Sequence, residues 1–158
     1  MKALLVDISK CTGCELCIDA CSIKYAGNCG FKGSRVAVLR DEVQGKYIPL
    51  LCVQCDEHPC VEACPVDAIN YDGENLLFKV DEDACTACGE CVQVCPYEGI
   101  FISDGVAMKC DLCNGDPSCV KVCFPEALRY LKSDRQEIRS NQEQKIAQLR
   151  KIKGQLYE

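Results

Sequence analysis

Sixteen of the seventeen cysteines fall into four short runs, and any fold of this chain must bring their thiols together. The first run is Cys11, Cys14, Cys17 and Cys21. The second is Cys52, Cys55, Cys60 and Cys64, followed by Pro65. The third is Cys85, Cys88, Cys91 and Cys95, followed by Pro96. The fourth is Cys110, Cys113, Cys119 and Cys123, with Pro125 two residues on. Runs one and three share the spacing C-x2-C-x2-C-x3-C, whereas runs two and four lengthen the middle gap and keep the ligand count.

Three chemistries compete for so many cysteines. A disulfide scaffold needs export and pairs its cysteines evenly. The start, Met1 to Asp7, holds an apolar stretch of only four residues, and the cysteine count is odd. The start therefore reads as no export signal. No run approaches the ~18 apolar residues of a membrane span. The expectation is a cytoplasmic chain with reduced thiols. Zinc sites rarely use three closely spaced cysteines plus one. That spacing belongs instead to 4Fe–4S clusters, and runs one and three have the bacterial ferredoxin form. Three cysteines two residues apart on a tight loop can converge on three corners of one cube. The fourth lies one helical turn away, roughly 5.4 Å along the axis if a helix starts there. Four clusters are expected.

Charge narrows the partners. Residues 1–132 carry 12 Lys+Arg and 20 Asp+Glu, a net of −8, while residues 133–158 carry 6 and 4, a net of +2. An acidic body does not suit nucleic acid. It makes docking depend on the partner's surface charge. The chain shows no nucleophile–base pair, phosphate loop, open metal site or dinucleotide fingerprint, so it is expected to carry electrons and not to make or break substrate bonds.

The linkers repeat. Ile69–Tyr71 and Leu76–Val80 flank Asp72-Gly73, and Ile100–Ser103 and Val106–Lys109 flank Asp104-Gly105. An Asp-Gly step between apolar stretches predicts a β-hairpin. Residues 34–51 predict another, turning near Gly45. The predicted fold class is α+β: tandem bacterial-ferredoxin-like units in a pseudo-twofold repeat, with short helices and hairpins around clusters over 1–132. Residues 133–158 form a helical arm, with Ser133 or Asp134 as its cap and Glu137 in its first turn. Its apolar stripe is Ile138, Ile146, Leu149, Ile152 and Leu156. Two readings stay open: a helix packed on its own domain, or a partner-binding arm. An arm that gripped a second copy would give self-association, even a filament that aligns the clusters.

The four runs resemble the four-cluster ferredoxin-like subunits of molybdenum and tungsten oxidoreductases, and of related hydrogenase and carbon monoxide dehydrogenase electron-transfer proteins. The resemblance covers about residues 1–132. It implies a nested pairing of runs: Cys11, Cys14 and Cys17 with Cys123 (cluster 1); Cys52, Cys55 and Cys60 with Cys95 (cluster 2); Cys85, Cys88 and Cys91 with Cys64 (cluster 3); Cys110, Cys113 and Cys119 with Cys21 (cluster 4). Met108–Pro117 and Val122–Leu128 look like the small iron–sulfur subunit of tungsten-containing aldehyde oxidoreductases, with that of benzoyl-CoA reductase as a close relative. The implied partner is a tungsten–pterin catalytic subunit. The implied outlet is a flavin/NAD subunit or a ferredoxin. The alternatives are a related complex or a free-standing polyferredoxin.

Other residues read more plainly. Cys29 is a small loop or core residue. His58, between Cys55 and Cys60, is an exposed loop histidine that could at most tune a cluster. Lys24, Arg35, Arg40 and Lys46 are solvated surface charges.

Overall fold

The computed structural model describes residues 2–156, with side chains to residue 154. The elements follow the runs. Strand β1 (Lys2–Val6) leads through the first two cysteines into α1 (Leu16–Ala26). A hairpin, β2 (Ala37–Asp41) and β3 (Lys46–Leu50), precedes run two and α2 (Pro59–Glu62). Hairpin β4 (Ile69–Asp72)/β5 (Leu77–Val80) leads to run three and α3 (Glu90–Gln93). Hairpin β6 (Ile100–Ser103)/β7 (Val106–Lys109) leads to run four and α4 (Ser118–Lys121). Strand β8 (Leu128–Lys132) and helix α5 (Arg135–Leu156) follow. This is a small α+β fold of short helices, hairpins and a C-terminal helix.

The helices exist to place cysteines. The third cysteine of each run sits at the second position of its helix, and the fourth comes one turn later. A left-handed residue turns the chain into three of these helices: Glu15 at φ 62°, His58 at φ 43° and Gly89 at φ 84°. Pro65 and Pro96 then follow Cys64 and Cys95, where a ring without an N–H cannot extend a helix.

The three predicted hairpins form, but with different turns. Ser103 pairs with Val106, so Asp104-Gly105 is a two-residue turn, with φ 50° and 80°. Asp72 pairs with Leu77, so the other Asp-Gly step opens a four-residue loop, and Leu76 takes the positive φ of 56°. The Asp72 carboxylate organises that loop by accepting the N–H groups of Glu74 and Asn75 at 3.0 and 3.3 Å. In the β2/β3 hairpin Asp41 pairs with Lys46, and Gly45 supplies φ 63°.

Long-range closure comes from β1 and β8, which pair antiparallel from Lys2↔Lys132 to Val6↔Leu128. No turn joins them, so nothing local in the sequence announces the pair. It draws the N-terminal side of run one to the C-terminal side of run four. The core follows: Leu4, Val6, Ile18, Val36, Leu51 and Leu128 pack with cysteines of runs one, two and four. A second cluster joins Cys60 and Cys91 with Ile69, Ile100 and Ala107.

Helix α5 settles one open expectation. Asp134 caps it, accepting the Glu137 N–H at 2.8 Å. Asn141 fastens it to β1, donating to the Val6 carbonyl and accepting the Val6 N–H, both at 2.9 Å. Leu149 and Ile152 are buried against Ile48 and Leu50. Ile146 packs partly on the main core, and Ile138 is half-buried. The side chain of Leu156 lies outside the described residues. Leu149 and Ile152, expected as candidate partner-binding residues, instead bind this chain's own β3, because the neighbouring hairpin offers apolar surface that the sequence pattern did not reveal.

One glycine marks a close backbone approach. A Cβ on Gly99 would lie 2.3 Å from the Leu51 carbonyl carbon and 2.4 Å from the Cys52 nitrogen. Both neighbours are backbone and cannot swing away. Gly99→Ala is expected to destabilise the protein by about 1–3 kcal/mol. Thermal unfolding of the iron-loaded protein checks this, and an unchanged midpoint contradicts it.

Candidate metal centres

Cysteines of different runs come near one another. Charges on Cys14 and Cys123 act on Cys11, and those on Cys11, Cys14 and Cys123 act on Cys17. These four also line one apolar cavity, with Val38, Pro49, Ala127 and Leu128. Cys91 feels Cys85, Cys88 and Cys64, and these four line a second apolar cavity with Val80, Ile102 and Ala107. Cys60 feels Cys52, Cys55 and Cys95. Cys119 feels Cys21 and Cys113, and Cys110 feels Cys119.

Backbone N–H groups point at these sulfurs. Those of Ala68, Gly99 and Leu128 donate to Cys64, Cys95 and Cys123 at 3.2, 3.4 and 3.4 Å. Each follows a fourth cysteine by four or five residues, where the chain turns into a strand. Arg35 does the same for Cys21 at 3.2 Å. Gln54, Ala107 and Leu112 donate to Cys52, Cys85 and Cys110 at 3.3, 3.4 and 3.4 Å. Such bonds favour a negatively charged sulfur.

Burial alone opposes that charge. It pushes the Cys17 and Cys119 thiols up to about 12 and those of Cys55 and Cys60 up to about 11. Neighbouring thiols push in the same direction. Four thiolates in one apolar place therefore need a strongly positive group among them, and iron supplies it when a cluster binds and protons leave. Among the described residues, no three His, Cys, Asp or Glu side chains could hold a single metal ion. A zinc site needs its donors about 2.0–2.3 Å from one point. The four cysteines that line each apolar cavity are the donor type and number that a 4Fe–4S cluster takes.

Around Cys21 and Cys113 lies a network that the sequence did not reveal. Arg35, expected on the surface, is largely buried and pairs with Asp111 at 2.7 Å. Its guanidinium lies 3.8 Å from the Tyr25 ring centroid. The Tyr25 hydroxyl donates to Asp111, which also accepts the Cys113 N–H at 2.9 Å. Burial pushes the Asp111 carboxyl up, but the Tyr25 hydroxyl and Arg35 outweigh it and hold it below the usual range. Leu112, Cys113 and Asn114 all take positive φ, so the chain makes a left-handed turn around Cys113 that Asp111 pins, just before the longer middle gap of run four.

Two lysines were also missed. Lys109 is buried and donates to the Phe78 carbonyl at 2.9 Å. Lys145, on the inward face of α5, is 1 % exposed and donates to the Leu51 carbonyl at 3.2 Å. Its place four residues before Leu149 and seven before Ile152, on the apolar stripe, was the available signal. His58 is half-buried against Phe78, with ring centroids 4.2 Å apart. Cys29 is exposed in a loop. Arg40 pairs with Glu15 at 2.6 Å on the surface.

The 4Fe–4S dicluster domain family matches residues 43–133, and a 4Fe–4S binding domain matches residues 8–27. The aliphatic sulfonate oxidoreductase polyferredoxin-like subunit of Pyrococcus furiosus is 37% identical over 131 residues, covering 82% of this chain and 75% of that one. An uncharacterized ferredoxin of Methanocaldococcus jannaschii is 42% identical over 133 residues, covering 83% and 73%. The thiosulfate reductase electron transfer subunit PhsB of Salmonella typhi is 31% identical over 150 residues, covering 85% and 78%. A chain from the active site complex BamBC of benzoyl coenzyme A reductase shares the fold, with a TM-score of 0.51, 23% identity, and coverage of 100% and 98%.

Asp111→Asn removes the nearer and more buried counter-charge of the Arg35 guanidinium and leaves only exposed Glu82 at 3.6 Å. The expected loss is about 3 kcal/mol, because breaking a buried pair strands one ion. Heating the loaded protein while following its visible absorption measures this. A midpoint within error of wild type contradicts it.

Proposed function

Since the chain belongs to the 4Fe–4S dicluster domain family and is an iron–sulfur electron-transfer subunit of an oxidoreductase complex, we propose that it holds four clusters in a row between a catalytic subunit and an acceptor. Each bound 4Fe–4S cluster supplies a one-electron site. The ligand sets are Cys11, Cys14, Cys17 and Cys123; Cys110, Cys113, Cys119 and Cys21; Cys52, Cys55, Cys60 and Cys95; and Cys85, Cys88, Cys91 and Cys64. The observation that carries the reading is the company each fourth cysteine keeps: Cys123 shares a cavity with run one, and Cys64 shares one with run three.

The order of the sets follows from their contacts. Cys17 acts on Cys119, which joins the first set to that of run four. Cys52 acts on Cys110, which joins that set to run two's. Cys60 and Cys91 share one apolar cluster, which joins run two's set to run three's. The order is thus one, four, two, three. Exposed Cys14 and Cys88 lie in the two end sets, where partners would deliver and collect electrons. The paired strands and buried N–H groups hold the thiols in place, so that no large rearrangement accompanies electron arrival. On this reading runs one and four form one ferredoxin-like unit and runs two and three the other, over residues 1–132, in a pseudo-twofold relation.

For the catalytic partner we favour a tungsten–pterin aldehyde oxidoreductase, on the strength of Met108–Pro117 and Val122–Leu128. The acceptor is then a flavin/NAD subunit or a ferredoxin. The Pyrococcus relative, named as the polyferredoxin-like subunit of an oxidoreductase, supports a fixed partner over a free-standing carrier. We take the complex to work in the cytoplasm, where thiols stay reduced and available to iron.

Anaerobic iron and sulfide analysis is expected to give about sixteen of each per chain, four per cluster. Half that content ends the four-cluster reading. Cys21→Ser is expected to alter the cluster of run four and leave that of run one spectroscopically intact. Loss of the run-one signal instead would overturn the nested pairing. Purification of the native complex tests the partner. A large catalytic chain without tungsten removes the tungsten assignment and leaves the electron-transfer reading standing.

A further inference from the structure

Helix α5 carries no cysteine, yet it buries a lysine beside the ligand sets. Lys145 sits on the same face as Leu149 and Ile152, a position that an apolar side chain would fill at less cost in desolvation. Its ammonium donates to the carbonyl of Leu51, the residue before Cys52. On the other side it faces the ring of Tyr97, two residues after Cys95, with Nζ 6.0 Å from the centroid. The Tyr97 hydroxyl in turn donates to Gln142, one turn earlier on α5, at 3.4 Å. The lysine is thus clamped between the first and the last cysteine of one set.

No carboxylate neutralises it. Among the described residues Lys145 has no ion-pair partner, and the nearest acidic influence, Glu98, is paired with Lys153 at 2.5 Å. Apart from Glu98, the negative charge it feels comes from Cys52, Cys95 and Cys110. A buried ammonium with one carbonyl bond is costly unless a negative group faces it. Lys109 lies toward the same set from the hairpin side, where its charge acts on Cys60 and His58. The charges that act on Cys11, Cys17 and Cys91 in the two end sets come from other cysteines alone.

We propose that Lys145 is a fixed internal cation that raises the reduction potential of the centre held by Cys52, Cys55, Cys60 and Cys95. The inference rests on the four-set reading above. Reduction adds one electron to an already negative, buried centre, which low dielectric opposes. An ammonium held nearby stabilises the reduced form more than the oxidised one. An inner centre is thereby kept from becoming a barrier between two end sets that reach solvent. The C-terminal helix then acts as a tuning element, and the Asn141 amide clamp on β1 holds the charge in place.

The test is a redox titration, followed by electron paramagnetic resonance, of the full-length loaded protein and of Lys145→Met, Lys145→Arg and Leu149→Ala. Cys55→Ser identifies which signal belongs to the set. In Lys145→Met that signal is expected to shift to lower potential by at least the 59 mV of a tenfold change in a one-electron equilibrium. The other signals stay in place. Lys145→Arg restores the potential, and Leu149→Ala, which loosens the helix without removing charge, leaves it unshifted. An unshifted Met variant, or an equal shift in Leu149→Ala, overturns the proposal. If Lys145→Met loses its iron, Lys145→Gln is titrated instead under the same criterion. Loss of iron from both neutral variants with full loading of Lys145→Arg supports a need for charge. Loss from all three assigns the residue a role in shape alone and overturns it. Iron content of the wild type separates these outcomes from failure of the four-set reading.

Discussion

Crowding sixteen thiols into a small acidic body sets the terms for everything else in this protein. Each thiol that gives up its proton places negative charge where burial and neighbouring sulfurs oppose it. Metal binding must supply the offset, so folding and loading are one process. The protein adds smaller contributions: backbone N–H groups aimed at seven of the sulfurs, and a few buried cations. Apolar side chains fill the gaps, but cysteine is itself a principal component of the core.

That constraint explains the shape of the short elements. A helix of four residues has no stability of its own, because nucleation is unfavourable and nothing propagates it. Here such helices need only set the third and fourth cysteines one turn apart. The two-stranded hairpins are marginal in the same way. Each is held by the cysteine runs at its ends, and the backbone approach at Gly99 leaves no slack between runs two and three.

On the four-set reading, charge is distributed unevenly along the row. The ends reach solvent and are lined by apolar residues. The inner sets face Arg35, Lys109 and Lys145, each fixed by hydrogen bonds to carbonyls or to Asp111. Water can stabilise an added electron at the ends. Inside, only protein charge can. The placement of these three cations is what such a gradient of burial requires.

By itself the sequence determined the candidate ligands, their spacing and the hairpins, because these are local: a cysteine one helical turn beyond another, or an Asp-Gly step between apolar strands, carries its geometry within a few residues. The same logic misjudged the loop after Asp72, where the aspartate's own hydrogen bonds lengthened the turn and moved the positive φ to Leu76. The β1–β8 pair and the burial of Arg35 and Lys145 were decided only by the tertiary structure. They join residues up to about 130 positions apart, and no local preference encodes which distant partner a strand or a charge will find. The C-terminal stripe shows this most plainly. Its periodicity correctly gave a helix with one apolar face, but only the folded body could show that β3 lay waiting for Leu149 and Ile152, and that the lysine among the stripe's apolar residues reached the carbonyl before Cys52.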